Sequence, residues 1–301
     1  MERGIRVSGR TVFYFLLPSM AGLVLFYLVP LGASLFISLT RWDGLTRLGG
    51  PDGLPAVIGI ENYRRVLESP EFRQVLGNTL YFIVLYIPLM LAGSLAVASL
   101  LAREIRGVGV FRVIYYIPVL TSWVAGALVW RWVLSPRYGP INAALEFVGI
   151  PGPGWLFDPL WAMPAIVLAS VWKDVGFFGL IFLGGLQGID PAFYEAARID
   201  GAGPWYRFRT ITLPLLSPVT FFVVVVALIN SFQLFPQVMV MTDNAGPQGA
   251  TRVLLERIYT YAFRYYEMGY ASAYSWILFF IIFLLTALQF RAQKAWVHYD
   301  G

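Results

Sequence analysis

The sequence predicts an all-α, polytopic membrane protein with six transmembrane helices. Three observations predict it. Only 13% of the 301 residues are charged and 58% are hydrophobic, whereas a soluble domain carries about 25% charged residues. Six apolar segments, at about 12–39, 78–102, 112–134, 161–187, 217–241 and 271–290, meet or approach the roughly 20 residues that carry a helix across the hydrocarbon core. Runs such as Phe221-Phe222-Val223-Val224-Val225-Val226 do not alternate apolar with polar. Barrel strands would alternate, so helices are left as the way to satisfy backbone groups in lipid.

Each segment follows from its residues. A tail at 1–11 carries Arg3, Arg6 and Arg10. The apolar stretch after it far exceeds the roughly 7–15 residues of a signal-peptide core, so it reads as an uncleaved first span. The membrane domain then runs over 12–290. Residues 40–77 hold charges of both signs and an expected amphipathic helix from Asn62 to Leu76. After the second span, Arg103-Glu104-Ile105-Arg106-Gly107 makes a short basic turn. Arg131, near the end of the third span, is expected to snorkel to the interface. The connection at 135–160 is punctuated by Pro151-Gly152-Pro153-Gly154. A polar loop at 188–216 separates spans four and five. Residues 242–270 carry Asn244-Ala245-Gly246-Pro247 and then a Tyr-rich stretch. A second tail occupies 291–301.

Pro18, Pro30, Pro88, Pro118, Pro164 and Pro236 lie inside the predicted spans. They read either as ordinary kinks or as hinges along a pathway. Six spans place both termini on one side. The three N-terminal Arg residues, with Arg291 and Lys294 after the last span, put that side, and the 188–216 loop, in the cytoplasm.

Composition excludes several chemistries. There is no Cys and a single His, His298, which removes thiol chemistry and His-rich metal sites. The net charge of +5 fits Arg residues gripping anionic headgroups and shows no clustered nucleic-acid face. The only lysines, Lys173 and Lys294, follow no Gly-rich phosphate loop. Any use of ATP therefore belongs to a partner chain. A six-span enzyme or receptor acting alone is the alternative class, and no catalytic constellation supports it.

Ionisable groups inside a span are functional candidates by default. Lys173 and Asp174 sit mid-span in Ser170-Val171-Trp172-Lys173-Asp174-Val175-Gly176-Phe177. They read either as structural pairs to neighbouring helices or as a polar patch on a water-filled path. In span five, Asn230, Ser231 and Gln233 lie beside Phe232 and Phe235. They serve as interhelical glue or as hydrogen-bonding groups for sugar hydroxyls.

The 188–216 loop has an internal grammar. Asp190-Pro191 reads as an N-cap with Pro at the first helical position. A short helix from Ala192 to Ile199 follows, and Gly201 closes it. Trp205, Phe208 and Ile211 recur at three-residue spacing, an expected apolar stripe holding the loop to the membrane domain. Glu195-Ala196-Ala197, then Gly201, then Ile211, Leu213 and Pro214 resemble the EAA loop of ABC importer permeases. Asp200, Ala202 and Gly203 lie within the same loop. Trp172-Lys173, Gly176-Phe177, Leu186-Gln187, Gly246-Pro247 and Asn62-Tyr63-Arg64-Arg65 resemble the carbohydrate-uptake branch, specifically its maltose-permease-F-like subunit.

That resemblance implies a type I ABC importer permease fold in the inner membrane of a bacterium or archaeon. It implies a heterodimer with a second homologous permease, two ATPase subunits that bind ATP and Mg, and an extracytoplasmic solute-binding protein. The loop would be a coupling helix seated in the ATPase, with Glu195 meeting a basic residue and Gly201 permitting the sharp turn. The substrate path would draw on Ser170, Trp172, Lys173, Asp174 and Phe177 in span four and Ser231 in span five. The polar cluster adds Asn230 and Gln233. The implied cargo is a sugar, with glycerol phosphate or another polyol-like solute as the alternative within the same family.

Overall fold

The computed structural model describes residues 9–47, 55–102 and 107–297. Arg103–Arg106 of the basic turn, Arg3 and Arg6 of the first tail and His298 of the second lie outside the described residues. Among the described residues the protein is helical, and its one β-type pairing is an isolated bridge between Thr40 and Val57. Four helices are long and apolar enough to cross a membrane. Two further pairs qualify if each bent pair counts as one span. The six apolar runs of the sequence fall on these helices, the fifth only as far as Phe232.

The chain divides into two compact units, residues 1–69 with 258–277, and residues 70–257 with 278–301. In the first unit, α1 (Arg10–Ser38) contains a π-helical turn at Val24–Leu28. From Arg10 to Ile37 none of its residues is buried, so its apolar side chains are left for lipid or another chain. The next helix, α2 (Glu61–Glu68), is shorter than the sequence suggested. Ser69 is extended and Pro70 opens a new helix, because the residue before a Pro is driven out of the helical region. Asn62 is buried and donates to Ser38 O at 2.9 Å and Thr40 O at 2.8 Å, which ties α2 to the end of α1. Arg65 pairs with Glu267 at 2.6 Å, and this hydrogen bond holds the guanidinium above its ordinary pKa.

The second unit is built on α3 (Pro70–Leu101), α4 (Val108–Leu120), α5 (Trp123–Val133), α6 (Pro140–Phe147) and α7 (Ala162–Gln187). Of the long spanning helices α7 is the most buried, packed against α3 and α4. Gly176 permits the close approach to α4. A Cβ there would sit 2.6 Å from Tyr115 O and 2.8 Å from Val119 Cγ2.

The third apolar run is not one straight helix. α4 and α5 meet at 101° across Thr121–Ser122, and Ser122 caps α5 by accepting from Ala125 N at 3.2 Å. The loop helix α8 (Pro191–Ile199) precedes α9 (Pro204–Leu215), which is bent by 66° from α10 (Ser217–Phe232). The fifth run, expected to be helical over 217–241, breaks at Gln233–Phe235, and α11 (Pro236–Met241) starts anew. Pro236 has no N–H to continue a ladder, and Phe235 before it sits at φ −146°. The chain closes with α12 (Leu254–Phe263) and α13 (Met268–Ala292).

Arg131, near the end of the third run, has a specific partner. Its guanidinium binds Asp243 through two bonds of 3.2 and 2.7 Å. A bidentate carboxylate partner therefore fixes the side chain that was expected to reach the interface.

Candidate functional site

Both broken runs of the second unit converge on one cavity of about 210 Å³. α3 contributes Phe82 and Tyr86, α5 contributes Trp123, and α7 contributes Ser170 and Asp174. α10 ends there with Asn230 and Ser231, and the break supplies Gln233 and Leu234 before Pro236 and Gln237 of α11. Non-helical backbone at membrane depth is tolerated where it lines a cavity or is buried in protein, which is where this break lies.

The geometry on α7 follows from helical spacing. Ser170 and Asp174 are four residues apart and share a face. Lys173 points elsewhere. Its Nζ donates to Pro118 O at 2.8 Å, Val119 O at 3.3 Å and Thr121 O at 2.6 Å, and lies 5.4 Å from the centroid of the Trp123 ring. The last carbonyls of α4 have no intrahelical donor, so Lys173 closes the end of that helix. Asp174 instead accepts a 2.7 Å bond from the Tyr86 hydroxyl and lines the cavity.

Two polar atoms at the cavity are left open. Ser170 Oγ and Gln237 Oε1 are buried without a protein partner, although buried polar atoms are ordinarily hydrogen-bonded. Ser231 is satisfied locally, donating to Ala227 O at 2.7 Å. The wall thus combines aromatic faces with amide, hydroxyl and carboxylate groups, the mixture that holds a small polar ligand in a defined orientation.

Of the residues singled out in the sequence, Ser170, Asp174, Asn230, Ser231 and Gln233 come together here. Trp172, Lys173 and Phe177 do not line this cavity. Trp172 packs edge-on against Trp130, and Phe177 against Phe178. Sequence reasoning missed Phe82, Tyr86, Trp123 and Gln237. The hydroxyl of Tyr86 inside an apolar run was the available signal. Gln237 lay beyond the expected polar cluster, one break further along.

The 188–216 loop forms a second site. Asp190 Oδ1 accepts from Ala192 N at 2.8 Å, with Pro191 in the first turn of α8. The far end is a Schellman closure. Ala202 N reaches Ala197 O at 2.9 Å and Gly201 N reaches Arg198 O at 3.1 Å. Gly201 takes φ +77°, a left-handed conformation that glycine adopts without steric cost. Asp200 is the C-cap, and Gly203 is extended before Pro204 opens α9.

No residue of α8 is buried. Glu195 and Ala196 are exposed and Ala197 half-buried, beside an Ile199 that is 87% exposed. Tyr194 Oη and Thr212 Oγ1, 2.9 Å apart, join α8 to α9. Ile211 and Pro214 are half-buried and Leu213 is exposed. The expected apolar stripe does not hold as drawn. A π-helical turn at Phe208–Thr212 breaks its spacing, and Trp205 stacks on Phe208 while remaining 71% exposed.

Residues 72–297 match the model of the family described as "Binding-protein-dependent transport system inner membrane component". The chain belongs to this family. It is a permease subunit of an ABC importer, a multi-pass membrane protein whose transport depends on a binding protein. It is 35% identical over 304 residues to the probable ABC transporter permease protein YesP of Bacillus subtilis, covering 100% of this chain and 96% of that one. It is 34% identical to the lactose transport system permease protein LacF of Rhizobium radiobacter, covering 93% of each. A crystal structure of a bacterial ABC transporter involved in import of the acidic polysaccharide alginate superposes with a TM-score of 0.81. It is 21% identical and covers 94% of this chain and 95% of that one. At that identity the superposition establishes a shared importer-permease fold.

Proposed function

We propose that this permease forms half of a translocation path for a sugar, working by alternating access against a second homologous permease. The observation that carries this reading is the cavity between the broken helices. Its unpartnered Ser170 Oγ and Gln237 Oε1, with Asn230, Gln233 and the aromatic faces of Phe82, Tyr86 and Trp123, match the hydroxyl-rich and apolar faces of a pyranose. LacF, a relative across nearly the full chain, is named for a saccharide.

The loop Glu195–Pro214 is the coupling element in this reading. One of two ATPase subunits, which bind ATP and Mg, takes the exposed face of α8 into a cleft on the cytoplasmic side, with Glu195 meeting a basic residue. Both termini lie on that same side, and the binding protein delivers sugar from the other. The left-handed turn at Gly201 directs the chain from α8 into α9. α9 leads through α10 to the cavity, so movement at the loop is transmitted along one continuous stretch.

The test is reconstitution of the permease with its co-encoded partners in proteoliposomes. A saccharide-loaded binding protein is expected to stimulate ATP hydrolysis and solute uptake. Ser170→Ala with Gln237→Leu is expected to reduce uptake while leaving ATPase association intact. Unchanged uptake in that double variant would remove the cavity from the path.

A further inference from the structure

Two opposite charges adjacent in sequence are turned to different surroundings on α7. Lys173 is committed to three backbone carbonyls at the break between α4 and α5. Asp174, the next residue, lines the cavity and is oriented by the hydroxyl of Tyr86. Among the described residues, no other lining side chain carries a formal charge. The formal charge on the described lining is therefore negative, and the Lys173 ammonium is held off the lining by the carbonyls at the α4–α5 break.

We propose that this cavity is a charge filter, with Asp174 as the residue that sets its selectivity. It accepts uncharged or cationic saccharides, such as amino sugars, and disfavours those bearing carboxylates or phosphates. The inference rests on the proposed transport path and deepens it by assigning the charge class of the cargo. The physical reason is proximity in a medium of low permittivity. A second negative group brought within a few ångströms of a carboxylate at an effective permittivity of about 20 is repelled strongly enough to alter occupancy by roughly tenfold or more. A sugar hydroxyl, by contrast, can donate to the free carboxylate oxygen without that penalty.

The chain has no cysteine, so a single introduced thiol reports the local field directly. Gln233→Cys places one at the cavity wall. Ala144→Cys on α6 provides an exposed reference away from it. Both are made in the full chain, expressed with its partners, and labelled in membranes with three methanethiosulfonate reagents, the anionic sulfonatoethyl, the cationic trimethylammonium-ethyl and the neutral methyl form. Label is read on this chain after electrophoretic separation. The cation-to-anion rate ratio at Gln233→Cys is expected to exceed that at Ala144→Cys by roughly tenfold, and Asp174→Asn is expected to abolish the excess.

Equal ratios at the two positions would overturn the proposal, as would a preference for the anion or an excess that survives Asp174→Asn. The neutral reagent reports accessibility together with the thiolate fraction, which cancels in the cation-to-anion ratio. If Asp174→Asn changes the neutral rate, Asp174→Glu must retain the excess, and its loss there would equally overturn the filter. No transport is needed for this readout. A cavity that shows the filter but supports no saccharide uptake would refute the proposed function and leave the filter standing.

Discussion

Lys173→Met isolates the contribution of one ammonium group to the broken third run. Methionine nearly preserves the volume and flexibility of the side chain but removes the donor. The structure gives that donor three carbonyl partners, two of them close, at 2.8 Å to Pro118 O and 2.6 Å to Thr121 O. Hydrogen bonds to a charged group are worth about 1.5–3 kcal/mol each, so the two short bonds together contribute about 3–6 kcal/mol. Water from the neighbouring cavity can re-solvate some of the freed carbonyls, which puts the net loss near the lower end, at about 3 kcal/mol. The assay is SDS-driven unfolding of the purified protein in mixed micelles, followed by tryptophan fluorescence. Lys173→Arg, which keeps a cation and several donors, is expected to recover part of the loss. A Lys173→Met variant within about 0.5 kcal/mol of wild type, the scatter of an inconsequential substitution, would refute the claim that Lys173 closes the end of α4.

Four further outcomes follow from packing, ion pairing and backbone geometry. Gly176→Ala forces a Cβ to within 2.6 Å of Tyr115 O and should cost about 1–3 kcal/mol in the same unfolding assay. Gly184→Ala, with nothing within 4 Å, should be neutral or slightly stabilising. Arg257→Ala strips the buried Glu256 of a partner held at 2.7 Å, and breaking a buried pair from one side costs about 3–5 kcal/mol, read as a lowered unfolding midpoint. Gly201→Ala has free space for its Cβ but must hold φ +77°, at about 1–2 kcal/mol. That cost should loosen the turn after α8 and weaken co-purification of the ATPase, with global stability nearly unchanged.

The sequence made the helical membrane class legible because lipid leaves so few ways to satisfy a backbone. The α8 helix was equally legible, since Asp190-Pro191 at its start and Gly201 beyond its end are local signals. What stayed hidden was set by residues distant along the chain. Asp174 and its partner Tyr86 are 88 positions apart, and Lys173 meets carbonyls more than 50 positions away. Adjacent positions on a helix point about 100° apart, so the sequence located the charge pair without telling which member faced the cavity. Pro236 was visible, but whether it kinks a continuous span or starts a new helix depends on what lines the gap at Gln233–Phe235. The partner of Arg131 was hidden for the same reason, since Asp243 lies 112 positions away.

In the proposed function the loop Glu195–Pro214 couples a partner ATPase to the saccharide path through the cavity of this permease. The most direct measurement is saccharide-stimulated ATP hydrolysis by the reconstituted complex, compared between wild type and Glu195→Ala. Stimulation in the wild type is predicted, along with its loss in Glu195→Ala while the variant still inserts and folds. Full stimulation in Glu195→Ala would contradict the coupling role, and a wild-type complex whose ATP hydrolysis no saccharide changes would contradict the cargo.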